Sequence, residues 1–245
     1  IVSDIGKMIL ENSRECAEII TAEMGKPILE AVAEIEKCAL VCEYYAENSE
    51  EFLKDKFLKS NAVTSFASYE PLGVIFGIMP WNFPFWQVFR FVVPAIIAGN
   101  STLVKHAPNV QASAVAIEKI FHSGGLPKDI FRVLMIDIDI VPDIISDKEV
   151  KAVSLTGSEL AGSKVAECSG KNLKKTVLEL GGSDAFIVLD DADLSKCVDS
   201  AVKGRMLNNG QSCIAAKRFI VHGDVYDEFL EMLKHSVGSL NVGNP

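Results

Sequence analysis

The sequence of 245 residues lacks the patterns that mark several classes of protein. Its six cysteines form no C-x-x-C pair and its four histidines form no cluster at ligand spacing, so neither a disulfide scaffold nor a metal site is expected. The longest apolar runs fall well short of the roughly 20 residues that span a bilayer. Repeats and low-complexity segments are also absent, which excludes solenoids and disordered tracts.

The charge balance argues against polyanionic partners. With 24 Lys and Arg against 33 Asp and Glu, the net charge is −9, which repels nucleic-acid phosphates and anionic membrane surfaces. Scattered cysteines are typical of a reduced compartment. No export signal opens the chain, and its first residue is Ile1, so we expect a trimmed start. The sequence predicts a cytoplasmic protein without nucleic-acid or membrane partners.

The N-terminal part predicts helices followed by an arm. Helical apolar periodicity covers residues 3–24 and 28–50, separated by Gly25-Lys26-Pro27, where glycine suits a left-handed cap and proline prevents continuation. Two helices are therefore expected. Shorter alternation over residues 61–69 predicts a strand or hairpin arm.

Beyond residue 73, short apolar runs alternate with helical stretches. The predicted strands are 73–78, 101–105, 131–134, 150–155, one that ends at residue 180, 185–189 and 217–221. The predicted helices are 84–98, 110–123, 139–146, 159–168, 194–207 and 225–237. This rhythm is typical of right-handed crossover units around a buried parallel sheet. We therefore predict an α/β fold with a doubly wound parallel sheet.

One cysteine differs in its setting from the other five. Cys213 ends the segment Gly210-Gln211-Ser212-Cys213 between a predicted helix and a predicted strand, whereas the others lie in helical patterns: Cys16, Cys38, Cys42, Cys168 and Cys197. A loop of small residues allows backbone donors to approach and stabilise a thiolate, which makes a useful nucleophile. Cys213 is thus a candidate nucleophile. From the residues alone, a buried apolar thiol is the alternative.

Two further segments place a polar group at a strand end or in a stiff turn. Glu179 closes an apolar run just before a pair of glycines, where partial desolvation would suit a general base. Asn82 lies between two prolines and two tryptophans, in a stiff turn that can aim its amide at an oxyanion. For Glu179 the alternative is a glutamate that only caps its turn. For the segment around Asn82 the alternative is ordinary packing of aromatic side chains in a loop.

At these three places the sequence resembles the aldehyde dehydrogenase superfamily. The motifs Pro-Trp-Asn-Phe-Pro, Glu-Leu-Gly-Gly and Gly-Gln-x-Cys occur in the family's order, and Cys213 lies 34 positions after Glu179. The resemblance extends over essentially the whole chain, including Ser154-Leu155-Thr156-Gly157-Ser158. Within the superfamily, residues 105–108 and 210–218 look most similar to bacterial and archaeal succinate-semialdehyde dehydrogenases.

The resemblance implies that an aldehyde is oxidised through a covalent intermediate. Cys213 attacks the aldehyde carbon as a thiolate, while the Asn82 side chain and the Cys213 backbone N–H hold the oxyanion. Hydride loss to the nicotinamide leaves a thioester, and Glu179 deprotonates the water that hydrolyses it. Relatives that transfer the acyl group to coenzyme A typically lack this glutamate, so Glu179 favours hydrolysis. An acylating enzyme is one alternative, and Glu179 argues against it. A non-catalytic fragment that retains only the fold is another.

The implied cofactor is NAD or NADP, although the G-x-G-x-x-G fingerprint is absent. The family's strand-to-helix turn matches Gly157 and Ser158, which would approach the pyrophosphate, and Gly162, which would let the helix pack closely. Trp81 and Leu180 match residues near the cofactor.

Lys105 corresponds to the family's lysine at the adenosine ribose. Three positions further on, many relatives carry an acidic residue that repels a 2′-phosphate, and this chain has Pro108. With His106 beside Lys105, we expect NADP to be tolerated or preferred.

Arg90 indicates the substrate. It lies eight residues after Asn82 in an otherwise apolar helix, where succinate-semialdehyde dehydrogenases typically place an arginine. A guanidinium that faces a pocket binds a carboxylate through two parallel hydrogen bonds. A surface position or a pairing with an acid is the alternative, and a second arginine of some relatives is replaced by Leu207. The expected aldehyde is succinate semialdehyde.

The resemblance also implies a division of the chain. Residues 1–52 and 71–180 would form the Rossmann-like dinucleotide-binding domain, 53–70 an oligomerisation hairpin arm, and 181–245 the first part of a second α/β domain, the catalytic one. Family members run to about twice this length, so we expect a fragment that is poorly active alone and self-associates through exposed apolar surface. A homodimer or homotetramer is expected for the full-length protein.

Overall fold

Nine α-helices and nine β-strands alternate along the chain in the computed structural model, which describes residues 1–245. The helices are α1 (Val2–Glu11), α2 (Ser13–Met24), α3 (Ile28–Leu53), α4 (Trp86–Ile97), α5 (Gln111–Ser123), α6 (Val141–Ser146), α7 (Glu159–Lys171), α8 (Leu194–Met206) and α9 (Tyr226–Gly238). The strands are β1 (Lys56–Phe57), β2 (Phe66–Ala67), β3 (Val74–Met79), β4 (Ser101–His106), β5 (Phe131–Val133), β6 (Val150–Gly157), β7 (Lys175–Leu180), β8 (Asp184–Val188) and β9 (Ala216–Val221). Short 3₁₀ helices lie at Ile138–Ile140, Leu207–Gly210 and Gly223–Val225. None of the helices has the length and apolar character that crossing a membrane requires.

The largest sheet confirms the predicted parallel α/β architecture. Five strands run parallel in the order β5, β4, β3, β6, β7. The first strand in the chain order, β3, lies at the centre and pairs with β4 on one side and with β6 on the other. The strand order therefore reverses between β3 and β6. In such sheets ligands bind in the crevice outside the carboxyl ends of the strands at this switch point.

The N-terminal segment forms three helices, so the predicted single helix over residues 3–24 is wrong. Asn12 separates α1 from α2 with φ −102° and ψ 15°. Its Nδ2 donates to the Met8 carbonyl oxygen at 2.8 Å. This local bond satisfies a carbonyl at the end of α1 and competes with helix continuation. Gly25 then ends α2 in the left-handed conformation, with φ 74°, as the sequence predicts.

A short hairpin extends from the main body between α3 and β3. β1 and β2 pair antiparallel over two residues each, so the strand predicted for 61–69 is much shorter than expected. Phe57 and Phe66 face each other across it with ring centroids 5.9 Å apart, and both are exposed. Apolar rings therefore lie on the outside of this hairpin.

The second parallel sheet consists of β8 and β9, with α8 and α9 on one face. Val188, Val198 and Phe229 are buried between the sheet and the helices. Ile187 and Ile220 are 63% and 50% exposed. Parallel strands are usually covered on both faces, and here one face presents apolar side chains to solvent.

A cluster of 24 buried apolar side chains fixes the helix that follows the central strand. In this core Phe89 of α4 packs on Phe121 of α5, which packs on Phe131 of β5, with ring centroids 4.9 and 4.8 Å apart. Burial of each ring stabilises the fold by about 1.5–3 kcal/mol. Because α4 is held by this core, the turn between β3 and α4 has both of its ends fixed.

Gly124, at the C-terminal end of α5, lies close to α1 and allows the packing of the two helices to be tested. A Cβ at this position would lie 2.8 Å from Ile5 Cα, so the backbone of α1 would have to shift. Overpacking of this kind costs about 1–3 kcal/mol. We expect Gly124→Ala to lower the midpoint of thermal unfolding. Gly170→Ala, whose Cβ would meet no atom within 4 Å, is the matched control and should leave the midpoint unchanged or raise it. Equal midpoints for both variants would contradict the packing.

Candidate active site

The loops that leave β3, β6 and β7 surround one cavity of about 190 Å³ at the switch point of the sheet. Its lining consists of Pro80, Trp81, Asn82, Thr156, Gly157, Ser158, Glu179, Leu180, Gly181, Gln211 and Cys213. The structure therefore brings together the thiol, the carboxylate and the amide that the sequence singled out. The predicted residues Arg90, Lys105 and Gly162 lie outside this lining.

Cys213 is exposed, whereas the other cysteines are buried or partly buried in helices. It follows the 3₁₀ helix Leu207–Gly210, and its carbonyl oxygen accepts a hydrogen bond from Lys217 Nζ at 2.6 Å. Burial raises the pKa of the Cys16 thiol to about 11 and that of Cys42 to about 12. These buried thiols stay protonated at neutral pH, so they are poor nucleophiles.

The segment 207–213, here called the nucleophile loop after the role predicted for Cys213, is held by contacts that the sequence patterns do not reveal. Asn208 and Asn209 both adopt left-handed conformations, with φ 58° and 54°. The Asn208 backbone N–H donates to Glu30 Oε2 at 2.6 Å, and the Asn209 side-chain amide donates to the Gly25 carbonyl at 2.6 Å. The available signal was the Asn-Asn-Gly run, since these residues tolerate positive φ.

The residues 80–85, here called the amide turn, connect β3 to α4 and contact the nucleophile loop directly. Asn82 Nδ2 donates to the Gln211 carbonyl at 2.8 Å. In return, Asn208 Nδ2 donates to the Asn82 carbonyl at 2.7 Å. These reciprocal bonds fix the direction of the Asn82 amide. A carboxamide has two N–H donors, and one of them remains available.

A buried ion pair lies beneath the amide turn, and the sequence patterns do not predict it. Glu34 Oε1 accepts the backbone N–H groups of Phe85 and Trp86, both at 2.9 Å. Lys26 donates to the other Glu34 oxygen and also lies over the Phe83 ring, 3.9 Å from its centroid. Both charged side chains are 1% exposed. Burial raises the pKa of Glu34 and lowers that of Lys26, and their mutual attraction opposes both shifts.

Glu179 lies at the end of β7, which is an edge strand of the main sheet. Its side chain is 56% exposed, so the partial desolvation expected from the sequence is not present. The physical reason is the edge position, because no strand of this chain covers that side of β7. The carboxylate has a positive neighbour, with Oε2 lying 3.6 Å from Arg90 Nη2.

Arg90 lies on α4 between two cavities. Its guanidinium donates to Thr156 Oγ1 at 3.1 Å and faces Glu179, so the pairing with an acid that the sequence left open is present. Arg90 lines a second cavity of about 420 Å³, which shares Thr156 and Glu179 with the first. Gln87 lines this second cavity too, is buried, and has no hydrogen-bond partner for its Oε1. A guanidinium and an unpaired amide oxygen thus border the same space.

The start of α7 has the features of an anion-binding helix N-terminus. Ser158 Oγ accepts the Ala161 N–H at 3.2 Å and caps the helix. The two N–H groups that follow Ser158 lie in the first turn, where no intrahelical partner exists. A Cβ at Gly162 would lie 2.6 Å from Leu180 Cδ2, so glycine permits the close approach of α7 to β7 that the sequence predicts.

Lys105 and His106 end β4 on the far side of the amide turn. Lys105 is 8% exposed, its Nζ donates to the His106 carbonyl at 3.3 Å, and burial lowers its pKa. His106 is also buried, which lowers its pKa. Its Nε2 contacts the Pro84 carbonyl at 2.7 Å while its Nδ1 accepts the Ala107 N–H. The expectation that His106 contributes to NADP binding is therefore wrong, because the buried ring points inward and contacts the Pro84 carbonyl of the amide turn.

Comparison with known proteins identifies the family. Residues 1–245 match the family model described as aldehyde dehydrogenase family. The chain therefore belongs to the aldehyde dehydrogenase family.

Individual relatives are more specific. A protein of Synechocystis sp. named probable succinate-semialdehyde dehydrogenase (NADP+) is 52% identical over 97% of this chain and 52% of its own length. Succinate-semialdehyde dehydrogenase (NADP+) 1 of Mycobacterium bovis is 48% identical over 94% of this chain and 51% of its own. The crystal structure of succinic semialdehyde dehydrogenase from Streptococcus pyogenes in complex with NADP+ has a TM-score of 0.98 and 39% identity, over 100% of this chain and 54% of that one. The chain spans about half the length of these relatives.

Exposure and acidity together predict which thiol reacts first. A thiol whose pKa is about 11, as for Cys16, is only about a thousandth ionised at pH 8. We expect iodoacetamide to modify Cys213 at least about tenfold faster than Cys16 or Cys42 in the folded protein, as measured by peptide mass spectrometry. Cys213→Ser should remove the fast phase and Cys197→Ser should retain it. Similar rates at all positions would contradict this assignment.

Proposed function

We propose that the full protein containing this sequence oxidises an aldehyde, succinate semialdehyde, to the carboxylic acid with NADP or NAD, through a thioester on Cys213. The observation that carries the proposal is the single cavity bordered by Cys213, Glu179 and Asn82. Membership of the family supports aldehyde oxidation, and the names of the Synechocystis and Mycobacterium relatives support the substrate.

The residues around the cavity fit a dinucleotide. The free N–H groups and positive dipole end of α7 suit a pyrophosphate, next to Gly157 and Ser158. Trp81 and Leu180 are 39% and 38% exposed and offer apolar surface to a ring. Lys105 would bind the adenosine ribose. When bound, the nicotinamide supplies the hydride acceptor.

Cys213 supplies the nucleophile in this proposal. Its thiolate bonds to the aldehyde carbon, and the electron pair of the C=O bond moves to the oxygen. The free N–H of the Asn82 amide and the backbone N–H of Cys213 then hold the oxyanion. The other N–H of Asn82 donates to the Gln211 carbonyl, so a residue of the nucleophile loop fixes the direction of the Asn82 amide.

Glu179 is the proposed base for the second half of the reaction. It takes a proton from water, the water oxygen bonds to the thioester carbon, and Cys213 leaves as a thiolate. Its exposed position gives it access to water. Hydrolysis also explains why a carboxylate lines the same cavity as the thiol. Acyl transfer to coenzyme A, the alternative reaction, does not require that carboxylate.

Arg90 is the proposed ligand of the substrate's own carboxylate. It borders the second cavity, which adjoins the first beside Glu179, and Gln87 offers a further polar group there. A four-carbon semialdehyde carries its charge at the end opposite the reacting carbon. The guanidinium would then bind that charge while the aldehyde reaches Cys213.

Two observations support NADP. Pro108 leaves no carboxylate three residues after Lys105 to repel a 2′-phosphate. The relatives carry NADP in their names. We further propose a cytoplasmic homodimer or homotetramer, in which the exposed Phe57 and Phe66 of the hairpin arm contact another subunit.

The central test uses the full-length protein and follows NADPH absorbance and the acid product. We expect Glu179→Gln to release NADPH in a burst of about one equivalent and then turn over slowly, because the thioester forms but its hydrolysis lacks a base. Cys213→Ser should abolish the burst as well.

A product that requires coenzyme A would favour the acylating alternative. No turnover by the unmodified protein would favour a fold without catalysis. A kcat/KM with NAD more than about a hundredfold above that with NADP, or about 2.7 kcal/mol, would contradict the cofactor proposal.

Arg90→Ala tests the substrate. We expect it to raise KM for succinate semialdehyde far more than KM for hexanal, which carries no charge, because only the former loses a bidentate ion pair. Steady-state kinetics with both aldehydes measure this. Arg132→Ala, whose side chain is half exposed on β5, is the control and should change neither KM. An equal rise for the two aldehydes would remove Arg90 from the substrate site.

A further inference from the structure

The segment 25–34, here called the clamp segment, contacts both halves of the site although none of its residues lines the cavity. At one end, the Gly25 carbonyl and the Glu30 carboxylate accept hydrogen bonds from the nucleophile loop. At the other end, Glu34 accepts two backbone N–H groups at the start of α4, where the amide turn ends. One short piece of chain therefore holds the thiol side and the amide side together.

Helix geometry explains how this segment contacts both. Glu30 and Glu34 are four residues apart in α3, so they lie on the same face one turn above the other. Glu34 is buried and fixed by Lys26. Glu30 is only half-buried and is in the first turn of the helix, where a carboxylate is favoured by the helix dipole in any case. Its contact with Asn208, 178 residues further along the chain, is not required by that dipole.

The nucleophile loop needs such an anchor because of its backbone. Two successive residues, Asn208 and Asn209, have positive φ, which is a sparsely populated conformation that persists only when the surroundings impose it. The backbone N–H of Asn208 donates to Glu30, so this hydrogen bond constrains the path of the main chain itself. Cys213 lies five residues further on and shares this path.

We propose that Glu30 is a positioning residue that sets where Cys213 lies relative to Asn82, with Glu34 as the fixed point of the same helix face. This inference rests on the proposed function for the reaction that the thiol performs. Glu30 touches neither substrate nor cofactor. It acts by accepting one backbone hydrogen bond, so its length and its acceptor oxygen matter and its charge does not.

Three variants at one position separate these properties. Glu30→Gln keeps the length and an acceptor oxygen, Glu30→Asp keeps the charge but withdraws the acceptor by one methylene, and Glu30→Ala removes both. Glu36→Ala, an exposed glutamate of the same helix, is the control. In the full-length protein we expect Glu30→Ala and Glu30→Asp to lower kcat by about tenfold to a hundredfold, the effect of leaving the buried backbone N–H of Asn208 without an acceptor. KM for NADP should stay within about twofold, since the hydrogen bond that Glu30 accepts comes from the nucleophile loop and not from α7. Glu30→Gln and Glu36→Ala should retain kcat.

Two measurements do not depend on turnover. Hydrogen exchange of the backbone amides in peptide 207–215 should quicken in the Ala and Asp variants and stay slow in the Gln variant, and the rate of Cys213 alkylation should change in the same two variants. If Glu30→Ala does not fold, Glu30→Asp carries the test. Equal kcat in the Asp variant and the unmodified protein, or a Gln variant as impaired as Asp, would overturn the proposal. If the unmodified protein oxidises no aldehyde, the proposed function fails, and the exchange and alkylation results still decide the role of Glu30.

Discussion

The hydrogen bonds from Phe85 and Trp86 to the buried Glu34 carboxylate are the contact on which the site depends. A charge without water is tolerated only when it is paired and hydrogen-bonded, and Lys26 provides the pairing. Removal of either partner would leave an uncompensated buried charge, which costs about 3–5 kcal/mol. The start of α4, and with it the amide turn, is therefore held by the buried pair of Glu34 and Lys26.

The topology of the sheet supplies three of the four segments that meet at the cavity. The carboxyl ends of parallel strands lie at the same edge of the sheet, so the topology alone brings the loops after β3, β6 and β7 together. The nucleophile loop does not belong to this sheet, since it lies between α8 and β9. The position of this loop is therefore set by hydrogen bonds that involve side chains. Glu30 and Asn82 bond to its backbone, and the side chain of its own Asn208 bonds to the amide turn.

Features with a hydrophobic period or a chemical signature could be predicted from the sequence. Features that depend on one side-chain hydrogen bond or on the order of strands in the sheet could not. Strands and helices of the main sheet follow from hydrophobic spacing, and Cys213 from its loop of small residues. The break at Asn12 depends on one side-chain bond to Met8, which competes with a strong helical pattern. The inward turn of His106 depends on a carbonyl 22 residues earlier. The exposure of Glu179 depends on β7 being an edge strand, which is a property of strand order and not of the local residues.

The bonds that hold the nucleophile loop join residues 126, 129, 178 and 184 positions apart in the chain. Contacts of such long range close large loops, and their entropic cost delays them relative to the local pairing of neighbouring strands and helices. During synthesis, the early helices and the central sheet can form before residue 213 has left the ribosome. The Cys213 sulfur thus reaches its place after the sheet that surrounds it, and a chain that stalls earlier contains that sheet without this thiol.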